Sequence, residues 1–156
     1  LEKGIVPVFF VKNSASNLVI ENVPELKAKY NSDLHWAFKE LNAGERTSFF
    51  RFTDLHAEKN SKMFCYLKAY RKASPQRVEF HVPTFAGLEK SGKLSGLLDM
   101  IYYLLLAQGN PNDPQVRPIA VAEMYAKESL KVLNIMKMIE KSNWMQATMN
   151  QGRGYT

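Results

Sequence analysis

The strongest constraint on this chain is the alternation in "MFCYLKAYRK", residues 63–72. Successive side chains of a strand point to opposite faces, so period two sorts the stretch into two rows. Met63, Cys65, Leu67 and Ala69 form one row; Phe64, Tyr66, Lys68, Tyr70 and Lys72 form the other. Both rows carry large carbon surface, but only the second carries cations. Neighbouring stretches sort in the same way. "RVEFHVPTF" (77–85) sets Val78, Phe80 and Val82 against Arg77, Glu79 and His81. "TSFFRFTDL" (47–55) sets Phe50 and Phe52 against Phe49, Arg51 and Thr53. The uncharged rows predict the buried face of a sheet. The rows with cations predict an exposed one.

The links "HAEKNSK" and "ASPQ" are short, which calls for antiparallel neighbours. Upstream, "GIVPVFFVK" (4–12) and "NLVIENV" (17–23) read as a first hairpin, with Pro7 at an edge or bulge. Pro24 suits the first turn of a short helix, and Ser32 or Asp33 caps a second one that ends by Gly44. From about Ser91 the period becomes helical. Leu94, Leu97, Leu98, Ile101, Leu104 and Leu105 share one helical face. A second long helix runs from Pro118 to about Asn143, with Val121, Met124, Leu130, Leu133, Met136 and Ile139 assigned to its packed side.

These readings predict an α+β fold. An antiparallel sheet of about five strands carries two long C-terminal helices on one face, and short helices follow the first hairpin. Residues 1–149 are read as a single domain and 150–156, "NQGRGYT", as a flexible tail. The 156 residues suffice for one hydrophobic core.

The chain holds 21 Lys and Arg against 15 Asp and Glu, a formal charge of +6 that favours polyanionic partners. A lone cysteine, Cys65, excludes an internal disulfide and a multi-cysteine metal site, and makes a reducing, cytoplasmic setting the default. "LLDMIYYLLLAQG" is short for a bilayer span, which needs ~20 apolar residues, so no membrane partner is expected. No cofactor is indicated either. "GLEKSGKLSG" imitates a phosphate-binding loop through Gly87, Gly92 and Lys93, but Leu94 stands where a hydroxyl should hold magnesium. His35, His56 and His81 are scattered, and no nucleophile or metal-ligand spacing appears. Catalysis is not expected.

An exposed face of aromatic rings among cations has a physical use. Unpaired bases stack on rings for ~1–3 kcal/mol each, while lysine and arginine neutralise phosphate. The expected function is non-catalytic binding of single-stranded RNA or DNA on the sheet. Phe49, Arg51, Phe64, Tyr66, Lys68, Tyr70, Lys72 and Arg77 are its candidate residues; the rings stack and the cations pair. The alternative is an assembly or adaptor module that uses the same face together with the apolar helix 92–108. Tyr102 and Tyr103 leave that helix greasy on more than one side, and a homodimer is compatible with either reading.

Overall fold

The computed structural model describes residues 5–11, 15–57, 60–112 and 114–133, the last four as backbone. The chain divides into two units, residues 1–116 and 117–156. Among the described residues, the first contains four strands: β1 (Phe9–Val11), β2 (Phe50–Phe52), β3 (Lys62–Leu67) and β4 (Gln76–His81). They form one antiparallel sheet in the order β1-β4-β3-β2. The α+β class with an antiparallel sheet is therefore as expected, and the four strands among the described residues roughly match the expected number.

Strand β3 has the predicted parity. Cys65 stands opposite Val78 and Met63 opposite Phe80. Cys65, Leu67, Val78 and Phe80 pack with Phe85 and Leu88 of α3 (Val82–Lys90) and with Leu98, Ile101 and Leu105 of α4 (Leu94–Gln108). Burying such side chains contributes roughly 1.5–3 kcal/mol each before entropy is subtracted. Cys65 is a buried hydrophobe, and burial pushes its thiol up to about 12.

Helix α3 replaces the predicted end of a strand. Pro83 occupies its first turn, where the missing N–H has no helical partner to lose. Gly92 ends it at φ +68, with Gly92 N–H bonding Glu89 O and Lys93 N–H bonding Leu88 O, both at 3.0 Å. That paired closure needs a left-handed residue, which glycine supplies without a Cβ clash.

The second sheet face is covered as well, which corrects the expectation that it is open to solvent. Residues 18–22 form a turn and a single 3-10 turn rather than a strand, and β1 pairs with β4. The predicted first hairpin is therefore absent. Instead, this segment, α1 (Pro24–Lys27) and α2 (Asp33–Glu40) pass over the sheet. Val19 and Ala37 are buried with Phe64 and Tyr66, and Leu18, Leu34, Trp36 and Phe50 pack around them.

One carboxylate holds this cover in place. Ser32 caps α2 by accepting from His35 N–H at 3.1 Å, so Asp33 is free to point inward. Its Oδ1 accepts from Val19 N–H and Ile20 N–H at 3.0 and 2.9 Å, and its Oδ2 accepts from the Tyr66 hydroxyl at 3.1 Å. Burial raises the pKa of Tyr66, and the nearby Asp33 charge raises it further. The hydroxyl therefore stays a donor.

Strand β2 has the opposite parity to that expected. Phe50 stands opposite Phe64 and Arg51 opposite Met63, so Phe50 shares the face of Phe64. Phe49 lies on the α3/α4 side, edge-on to Phe85 with centroids 4.7 Å apart. With only Phe50–Phe52 paired, a shift of phase costs β2 little.

In the second unit, α5 spans Arg117–Leu133, with Lys127 and Glu123 paired at 2.6 Å one turn apart. Met124, expected in the core, is exposed, and Val121 is half-buried. Met136, Ile139, the tail and the side chains of Leu130 and Leu133 lie outside the described residues. Among the described residues, no helix is long and apolar enough to cross a membrane.

Asp33→Ala should destabilise the fold by roughly 3 kcal/mol or more, because each buried donor left unpaired costs ~1–3 kcal/mol. Tyr66→Phe removes one bond and should cost about 1 kcal/mol. Urea unfolding measures both, and an unchanged midpoint for Asp33→Ala would show that the carboxylate pins nothing.

Candidate functional site

Coverage of the second face is incomplete. A cleft of about 430 Å³ opens beside edge strand β2, with walls from Leu18, Val23, Phe50, Arg51, Phe52 and Phe64. An adjoining hollow of about 180 Å³ shares Leu18, Phe52 and Phe64 and adds Ser16, Lys62, Arg77 and Glu79. Register explains the grouping. Phe52 pairs with Lys62 across β2 and β3, and Phe64 pairs with Glu79 across β3 and β4.

A charged cluster floors the hollow. Lys62 Nζ donates to Glu79 Oε2 at 2.9 Å, and Arg77 Nη2 donates to Glu79 Oε1 at 2.9 Å. Arg77 Nη1 reaches Ser16 Oγ at 2.6 Å, and the guanidinium lies 5.6 Å from the Phe64 ring centroid. Glu79 is buried on the sheet, which is tolerable for a carboxylate because a cation engages each oxygen. Two cations against one anion leave the hollow net positive, and Lys62 is its more exposed cation.

The residues expected to form one platform are dispersed. Arg51, Phe64 and Arg77 border the two concavities. Phe64, Tyr66 and Lys68 are buried, which corrects the exposure expected of them. Phe64 and Tyr66 lie under Val19 and Ala37. Lys68 Nζ donates to Phe38 O at 2.6 Å and Leu41 O at 2.9 Å, so its charge closes the C-terminal end of α2. It also sits 4.3 Å from the Phe38 ring centroid. Tyr70 is half-buried, and its hydroxyl donates to Leu105 O at 3.0 Å on α4. Phe49 is on the opposite face, and Lys72 is exposed in the turn between β3 and β4.

Sequence reasoning missed Ser16, Phe52, Lys62 and Glu79. Lys62 immediately precedes the stretch that set the parity, and it falls in the same row as Phe64. Glu79 was visible between Arg77 and His81; its placement between two cations was not. His56 sits in a turn closed by Asp54: Asp54 Oδ1 accepts from the backbone N–H groups of His56 and Ala57, which hold its carboxyl below the usual range.

Metal-assisted hydrolysis needs converging ligands, usually carboxylates. Among the described residues, no group of three His, Cys, Asp or Glu is placed to hold a metal. Asp33, the most buried acid, is committed to the Val19–Ile20 turn and Tyr66. No metal-assisted step follows from these residues.

Fold and site thus define an α+β domain whose sheet is covered by helices on both faces and opens to a partly aromatic, net basic cleft at one edge strand. The NurA domain family matches residues 1–128, and the chain belongs to that family. No curated protein and no solved structure matches the chain. NurA domains are a nuclease family, which ties the chain to nucleic acid and speaks against the expected absence of catalysis.

The position of Lys68 gives a direct test of its role. Lys68→Ala should destabilise the domain by about 1–2 kcal/mol through lost charge-assisted bonds to the α2 carbonyls. Any nucleic-acid affinity should keep its salt slope. A lowered slope with unchanged stability would return Lys68 to phosphate contact.

Proposed function

We propose that this NurA-family domain holds an unpaired DNA strand along β2 and the adjoining cleft, in support of nuclease action inside the cell. The carrying observation is the 430 Å³ cleft itself, where Phe50 and Phe52 flank Arg51 on an open edge strand. Phe52 is 38% exposed, enough ring surface to stack on a base; Arg51, exposed and next along the edge strand, alternates to the other sheet face and borders the cleft from there. The formal charge of +6 draws in phosphate from a distance. Of the residues first considered, Arg51, Phe64 and Arg77 belong to this reading directly, and Lys72 adds a peripheral cation. Tyr66, Lys68, Tyr70 and Phe49 act beneath it, by fixing the sheet and its covers.

The edge position favours a single strand. Unpaired bases can enter a cleft and stack, while the bases of a duplex are already stacked on one another. Phe52→Ala should weaken single-strand binding by ~1–3 kcal/mol with little change in salt dependence. Arg51→Ala should lower the slope of log K against log salt by ~0.7, the share of one single-strand phosphate contact. Anisotropy titrations over a salt series separate the two, with RNA and duplex DNA as comparison ligands. Wild-type affinity that ignored salt for every ligand would exclude the proposal.

A specific surface favours a second reading, the assembly module. Met100, Tyr103 and Leu106 succeed one another at three-residue spacing on α4, and all are exposed; Tyr103 is 67% exposed. Spacing of three places them along one helical stripe. Should that stripe join two copies, Tyr103→Glu should halve the mass seen by light scattering and leave the circular dichroism unchanged. A mass already monomeric in the wild type would dismiss this reading.

A further inference from the structure

The smaller hollow carries chemistry that the cleft alone does not explain. Phosphate contact needs only cations, yet Glu79 lies buried between Lys62 and Arg77. A carboxylate there repels phosphate. It suits a ligand that brings N–H donors.

We propose that this hollow reads one base of the bound strand and selects guanine through its Watson–Crick edge, with Glu79 as the specificity-determining residue. The proposal rests on the reading of the cleft as a single-strand site. An ionised carboxylate can accept about four hydrogen bonds. Glu79 spends one on Lys62 and one on Arg77, one at each oxygen. Each oxygen then has capacity for one more donor, side by side. Guanine offers such a pair, ring N1–H and exocyclic N2–H, with the O6 acceptor next to them. Lys62 carries three N–H donors, and its side chain is 40% exposed, so it can meet O6 while keeping Glu79.

The other bases fit less well for definite reasons. Adenine sets its N1 acceptor beside its amino group, against a carboxylate oxygen. Thymine has one N–H between two carbonyls, and both carbonyls face negative charge. Cytosine donates from its amino group alone and leaves one oxygen unmatched. Mismatched polar groups in a partly desolvated site discriminate more strongly than size does. Arg77 acts here as a positioning residue: Ser16 Oγ at 2.6 Å and the Phe64 ring fix the guanidinium, and it in turn fixes Glu79. A paired guanine has its Watson–Crick edge occupied, so selection operates only on an unpaired strand.

The test uses the full chain and short oligothymidylates that carry one central guanine, adenine, cytosine or inosine, titrated by fluorescence anisotropy. The guanine oligomer should bind about tenfold more tightly than the others, the discrimination that one bidentate contact supplies. Inosine lacks only the N2 amine and should lose most of that gain. 7-Deazaguanine alters the other edge and should keep it. Glu79→Gln should abolish the preference while oligothymidylate still binds. Lys62→Met, at a more exposed position, should reduce it if the first variant does not fold. Equal affinity for all bases would overturn base selection and leave the single-strand reading standing. No binding of any oligomer would overturn both.

Discussion

The covered sheet depends on one buried carboxylate. Asp33 takes two backbone N–H groups from the Val19–Ile20 turn and one hydroxyl from Tyr66 in the middle of β3. Those three bonds join segments far apart in the chain to the same acceptor. Without them, residues 18–22 would have unpaired backbone donors over an apolar surface, a cost the fold cannot carry repeatedly. With them, the turn lies flat on Phe64 and Tyr66, and α2 follows directly because Asp33 is its first residue. Local capping by Ser32 and long-range pinning by Asp33 are thus adjacent jobs, done by adjacent residues.

That arrangement also determines where the sheet stays open. The cover is anchored at Tyr66, near the C-terminal end of β3, and the opposite end of the strand begins at Lys62. Phe52 on β2, opposite Lys62, and Glu79 on β4, opposite Phe64, flank that end, while Arg77 stands opposite Tyr66. The same row of side chains passes from dry packing at Tyr66 to a charged hollow at Lys62. Arg77 marks the transition, since it stacks on Phe64 and also pairs with Glu79. A polar group at such a margin keeps its partners in protein and its approach in water, which is the condition for selective recognition.

Much of the fold was legible because period two and period 3.6 leave different marks. The parity of β3, the inward direction of Cys65 and the buried stripe Leu98, Ile101 and Leu105 all follow from pattern alone. What pattern does not encode is which surface a second layer will choose. Phe64 and Tyr66 look the same to a periodicity argument whether a base or Trp36 lies against them. The cover came from a segment whose own letters, "NLVIENV", favour a strand, and Asp33, Ser16 and Tyr66 overrode that preference through contacts distant in sequence. The parity of β2 was missed for a simpler reason: "FFRF" places aromatic rings on both faces, so either phase satisfies the hydrophobic count.

Net charge is the signal most altered by the structure. A surplus of six cations invites the view that every lysine near a ring awaits phosphate. Lys68 instead closes the C-terminal end of α2, and Arg77 and Lys62 hold Glu79. Their charges still add to the long-range field, which decays over ~10 Å at moderate salt and steers any polyanion toward the domain. Steering needs charge anywhere; contact needs charge with a free path to the ligand. Arg51 meets both conditions, because it is exposed on an edge strand at the lip of the cleft. On the proposed reading, the surplus supplies attraction in general, and the few cations at the open end of the sheet determine where a strand comes to rest.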